Sequence, residues 1–113
     1  MRAIPKSFLI HTVMLYRPEK EDRWGNGATG EGTELSQVRM EPCSKIVRDK
    51  NNVEVQLSAT LFIDYKNTRP KRVTIKKDDI VAFNGERYKV QLVEPLYDNK
   101  RLHHYEVGLI KGV

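Results

Sequence analysis

Asn84-Gly85 separates two runs rich in β-forming residues, Ile80-Val-Ala-Phe83 and Glu86-Arg-Tyr-Lys-Val-Gln-Leu-Val93. A two-residue hairpin turn that matches strand twist needs positive φ at both central positions, and asparagine and glycine adopt it at least cost. The pair therefore predicts two adjacent antiparallel strands and sets the fold class. Tyr88 shares a face with Val90 and Leu92 in the second run, so that ring is read as core.

The rest of the chain offers more of the same pattern. Residues 53–65 place Val53, Val55, Leu57, Ala59, Leu61 and Ile63 at period two, opposite Glu54, Gln56, Ser58 and Thr60. That alternation predicts one half-buried strand, entered from a turn over residues 48–52. Residues 8–16 read as a strand with Leu9, Val13 and Leu15 on one face. Residues 34–41 read as another, stopped by Pro42. There the apolar members Leu35, Val38 and Met40 break strict alternation, which predicts a bulge. A polar turn over residues 95–101 leads to a closing strand, residues 103–111, with Tyr105, Val107 and Leu109 alternating against Glu106 and Gly108. No segment has the 3.6-residue periodicity of an amphipathic helix. The expectation is an all-β fold, a small antiparallel β-barrel or sandwich of about six strands.

Length sets the scale. At 113 residues the chain suits one domain, residues 1–113, and a core of that size is stable without metal or disulfide. Cys43 is the only cysteine, so neither an intramolecular disulfide nor a cysteine-based zinc site can form. The first nine residues are interrupted by Pro5 and lack the apolar run of a signal peptide. No stretch approaches the roughly 20 apolar residues of a membrane span. These features lead us to expect a protein made and folded in the cytoplasm, with no membrane partner.

Two connections stand out. Residues 17–33 contain Pro18, Gly25, Gly27, Gly30 and Gly32 among charged residues, which predicts a long, mobile, glycine-rich loop that becomes ordered on assembly. Gly25-Asn-Gly27-Ala-Thr-Gly30 matches G-x-G-x-x-G literally, but a dinucleotide site needs a strand before it and a helix N-terminus after it, and neither flank qualifies. Trp24, the sole tryptophan, lies in this loop with Arg23 and Gly25, and the three are candidates for an arm that anchors on a neighbouring subunit. The second connection, residues 66–77, carries Lys66, Arg69, Lys71, Arg72, Lys76 and Lys77 with no acid, a local excess within a net charge of +5. These six are candidates to face DNA or an acidic partner; the alternative is a solvated connection kept soluble by its charge.

Catalytic and metal chemistry find little to work with. His103 and His104 are neighbours on a strand and should point to opposite faces, so they are not expected to share an ion. Cys43 and His11 could pair as nucleophile and base only by long-range coincidence. The expectation is a non-enzymatic protein with no cofactor and no metal.

Several segments together resemble a known family: Ile4-Pro-Lys ahead of His11-Thr-Val, Asp22-Arg-Trp24-Gly25, Ala59-Thr-Leu-Phe-Ile-Asp64, Val81-x-Phe83-x-Gly85-x-x-Tyr88-x-Val90, and His103-His-Tyr-Glu-Val107. The pattern is similar to the minor capsid proteins encoded in head-morphogenesis clusters of phages and prophages of Gram-positive bacteria. Those proteins resemble the head-closure, or stopper, proteins of long-tailed phages, small β-barrels with long loops. The resemblance implies a head-tail connector that forms a homo-oligomeric ring at the neck, beneath portal and adaptor proteins. There it would retain packaged DNA, touch it without sequence preference and receive the tail. The resemblance places the protein in the virion at the head-tail junction and brings no catalytic residues; because ordering the arm costs more than one neighbour contact returns, the chain is expected to be mostly monomeric in solution before assembly. The rival reading is a stand-alone nucleic-acid-binding β-barrel module, which would display aromatic rings on its basic face.

Overall fold

The computed structural model describes residues 3–18 and 32–111. Eight strands form: β1 (His11–Tyr16), β2 (Thr33–Pro42), β3 (Ile46–Arg48), β4 (Glu54–Gln56), β5 (Ala59–Asp64), β6 (Ile80–Phe83), β7 (Glu86–Asp98) and β8 (Arg101–Lys111). Six close into an antiparallel barrel in the order β1-β2-β5-β8-β7-β6, with β6 returning to pair with β1. They correspond to the six strands expected from the sequence. Closure leaves no edge along the paired lengths, which is how a small β domain avoids edge-to-edge association.

Alternation fills the barrel interior. Val13 and Leu15 from β1, Leu35, Val38 and Met40 from β2, Ala59, Leu61 and Ile63 from β5, Val81, Val90, Val107 and Leu109 are all buried in one cluster, with Tyr88 and Tyr105 packed against it. The expected bulge in β2 is at Gln37: His11 pairs with Val38 but Thr12 with Ser36, and Gln37 has φ of 58°. One extra residue lets Leu35 and Val38 both point inward although three positions separate them.

The Asn84-Gly85 turn joins Phe83 to Glu86 with φ of 51° and 76°, as the sequence required. Nothing lies within 4 Å of where a Cβ on Gly85 would stand. Gly85→Ala should therefore cost only the backbone penalty of the left-handed region, about 1 kcal/mol, and Gly85→Asn less than half of that. Denaturation midpoints check this, and a loss above about 3 kcal/mol would mean the side chain meets something after all.

Four expectations are corrected. The long strand over residues 53–65 is two strands in two sheets. β4 pairs with β3 in a separate hairpin, and the chain then switches partner: Leu57 N–H donates to Lys45 O (2.8 Å), and Ser58 N–H to Leu109 O (2.7 Å). The bend reverses the facing of Leu57, whose methyl group would stand 2.8 Å from a Cβ on Gly108, on the outside of the barrel. Val53, expected inside, is more than half exposed. Periodicity carried through the bend because it records side-chain alternation and not the identity of the strand partner.

The expected turn over residues 95–101 is mostly strand. β7 runs on through Pro95 to Asp98, and Asp98 pairs with Arg101 across a tight turn in which Asn99 has φ of 57°. Proline is tolerated because this part of β7 lies beyond its pairing with β6, so its missing N–H breaks no ladder bond on that side. The inward assignment of Leu92 also fails. A bulge between Val90 and Leu92 turns Leu92 outward opposite Gly108 and brings Val93 to the core opposite Val107.

Finally, His103 and His104 do meet. A second irregularity places Leu96 opposite His104 and Tyr97 opposite Leu102, so His103 is the extra residue. Their Nδ1 atoms are 2.7 Å apart, and His104 Nε2 is 2.9 Å from Glu106 Oε2. The set is satisfied when His104 donates through Nε2 to the carboxylate and accepts at Nδ1 from His103. Among the described residues no group of three or more potential metal ligands forms.

Candidate functional site

The connection between β5 and β6 carries the basic run, and the structure fastens it at several points. Tyr65 N–H donates to His103 O (3.0 Å), and Ser36 and Arg69 exchange two backbone bonds of 2.9 and 3.1 Å. Asp64 N–H donates to Thr68 Oγ1 (2.8 Å), whose hydroxyl donates to Gln37 O in the β2 bulge (2.7 Å). Further on, Ile75 is buried in the core cluster and Val73 packs against it. Asp79, also buried, accepts from Lys76 N–H (2.8 Å) and from the Arg17 guanidinium, which reaches Thr74 O as well. Backbone bonds and apolar side chains thus hold the segment down while its cations point outward.

The six cations do not form one patch. Lys66, Lys71 and Arg72 line a cleft of about 500 Å³, where Arg101 and His103 from β8 join them. Arg69 folds back onto its own connection and donates to Lys66 O (2.7 Å) and Thr68 O (3.2 Å). Lys77 lines a separate hollow of about 210 Å³ with Arg48 and Lys50. Lys76 is exposed and lines neither hollow.

The ion pairs among described residues engage Arg17, Arg39, Arg48, Lys89 and Lys111. Lys66, Lys71, Arg72 and Arg101 have no acidic partner among them. Four cations around one concavity raise the local potential for anions more than the same charges spread over a convex surface. Asp98 is the carboxylate on the wall.

Aromatic rings accompany the charges. Tyr65 lines the cleft and is 53% exposed. Tyr97, 60% exposed, stands opposite Leu102 in the β7–β8 register and so projects from the same hairpin face as that cleft-lining residue. Sequence reasoning found neither tyrosine, nor Arg101 or His103. The signal it passed over was Asp98-Asn99-Lys100-Arg101, a second two-residue turn that carries the hairpin past the barrel to form the cleft's far wall.

An opposite charge gathers elsewhere. Glu41, Glu94 and Glu106 line a hollow on the outer surface against a single lysine, Lys45, with Glu94 directly opposite Glu106 across β7 and β8. Arg39 pairs with Glu41 (2.7 Å), and His104 with Glu106, so the repulsion is partly relieved. His11 and Cys43 do not act together: His11 Nδ1 accepts from Met40 N–H (2.9 Å), and Cys43 Sγ contacts Thr60 Oγ1 (3.5 Å). The candidate arm, Arg23, Trp24 and Gly25, lies outside the described residues.

A family model described as minor capsid protein matches residues 5–109, nearly the whole chain. The chain belongs to the minor capsid protein family. As a minor capsid protein it is a structural component associated with the virion. No curated protein matches the chain. The structure accounts in physical terms for several of the residues on which the sequence resemblance rests. The Asp64 carboxylate accepts from Ile4 N–H (3.1 Å) and Asn67 N–H (2.9 Å), and Asn67 Nδ2 donates to Ile4 O (2.8 Å). His11 packs edge-on against Phe83, with ring centroids 4.9 Å apart. These residues fasten the N-terminal segment and β1 to the barrel, so in this chain they act in structure.

Proposed function

We propose that this minor capsid protein is a phage head-tail connector of the head-closure type, forming a ring at the neck that retains packaged DNA and receives the tail. The observation that carries the reading is the family match over residues 5–109, joined to a closed barrel. A head-to-tail ring uses two unlike surfaces on each subunit. The segregation of charge supports this, with the basic cleft turned to DNA in the channel and the Glu41–Glu94–Glu106 strip turned to neighbouring proteins. Its partners would be portal or adaptor proteins above and tail proteins below. The chain would stay largely monomeric until that template is present, because ordering an arm offsets much of the gain from a single neighbour contact.

The test is deletion of the gene in a phage that can be propagated by complementation. Heads that fill with DNA, leak it and carry no tails are the expected result. Normal tailed virions would end the reading.

A further inference from the structure

The basic cleft has features that retaining DNA in a channel does not require. Duplex contact needs only positive charge spread along a surface. Here the charge is drawn into a concavity of about 500 Å³ with a half-exposed tyrosine on its wall and a second tyrosine on the adjoining hairpin face. A duplex is too wide and stiff to enter such a space, which falls in the size range of small-ligand sites. An unpaired strand can enter, because its bases turn away from the backbone and stack on aromatic rings while cations follow the phosphates.

We infer that the cleft formed by Lys66, Lys71, Arg72 and Arg101 beside Tyr65 binds single-stranded nucleic acid, a few nucleotides at a time. The cations take the phosphates, and Tyr65 takes a base. The combination of rings and charge is what a nucleic-acid-binding barrel displays. It is assembled from two sequence-distant segments, the β5–β6 connection and the β7–β8 turn, which is why neither segment announces it alone. Residues of the barrel core take no part, and the site does not depend on ring formation.

The full-length protein is titrated against fluorescent fifteen-nucleotide oligo-dT, oligo-rU, a duplex of equal length and a poly-glutamate peptide. Single strands should bind tightest. Four phosphate contacts predict a slope of log affinity on log salt of about −3, from about −0.7 per phosphate on a single strand. Lys71→Ala with Arg72→Ala should halve that slope. Tyr65→Ala should weaken strand binding about tenfold or more and leave the slope unchanged, since stacking is sequence-tolerant and uncharged. Lys77→Glu, in the other hollow, should have the smaller effect of a remote charge. Binding of either oligo-dT or oligo-rU supports the inference, and their ratio shows whether the sugar matters. Duplex or poly-glutamate bound as tightly as the strands, or Tyr65→Ala without effect, would overturn it, as would no strand binding at low salt. None of these results bears on the virion phenotype of the deletion, so the two proposals fail separately.

Discussion

Asp64→Ala should destabilise the protein by about 3–5 kcal/mol, a large fraction of the roughly 5–15 kcal/mol margin of a typical domain. The carboxylate is 1% exposed and holds two backbone N–H groups, those of Ile4 and Asn67. Its removal leaves both donors without an acceptor in a site water does not readily reach, and each such loss costs about 1–3 kcal/mol. The N-terminal segment depends on the same residues. Asp64 and Asn67 offer Ile4 an acceptor and a donor much as a neighbouring strand would, so without Asp64 residues 3–5 should detach. Asp64→Asn keeps one carbonyl acceptor and should lose about half as much. Denaturant midpoints measure the loss, and amide exchange at Ile4 and Asn67 assigns it to this site. A change below about 1 kcal/mol for the alanine variant would show that the carboxylate is dispensable.

What the sequence revealed follows from which kinds of information are local. The barrel's six strands and the Asn84-Gly85 turn are written in alternation and φ preference, properties of neighbouring residues. The Gln37 bulge was legible because Leu35, Val38 and Met40 break the period visibly. The bulges at Gln91 and His103 were not, since no turn residue or glycine marks them and their neighbours on either face are apolar or aromatic. One such residue was enough to bring His103 and His104 together where simple alternation separated them. The β3–β4 hairpin went unseen for a different reason: its strands are only three residues long, with exposed Ile46 in β3 and exposed Val53 just ahead of β4, and it leans on the barrel through Leu57, a tertiary contact with no local trace. The cleft is the same kind of case. Composition located three of its four cations, Lys66, Lys71 and Arg72, but also named Arg69, Lys76 and Lys77, which do not line it. Arg101 and Tyr65 became site residues only when the long hairpin folded alongside the connection.

Asp79→Ala should cost about 2–4 kcal/mol and weaken the cleft without touching a residue that lines it. Asp79 is 2% exposed and its carboxylate accepts from Lys76 N–H and Arg17. Its backbone O accepts from Val90 N–H (2.8 Å), while Asp78 N–H donates to Val90 O (2.8 Å). The residue therefore ties the end of the β5–β6 connection to β7 through the backbone and to the residue following β1 through its side chain. Breaking a buried ion pair from the acid's side costs less than its usual 3–5 kcal/mol here, because Arg17 is nearly half exposed and recovers water. The Lys76 N–H is not so placed, and its loss supplies much of the remainder. The connection should then loosen from the clamp back toward residues 71–74, and Lys71 and Arg72 would have to be ordered at the moment of binding, at a cost in affinity. Strand affinity should therefore fall several-fold while the salt slope stays near its original value, since every cation is still present. Arg17→Ala leaves the Lys76 bond intact and should cost about 1 kcal/mol. A variant of Asp79 that loses stability yet binds single strands with undiminished affinity would show that the cleft is held in shape by Tyr65, Thr68 and Arg69 at the other end of the connection, and not by this clamp.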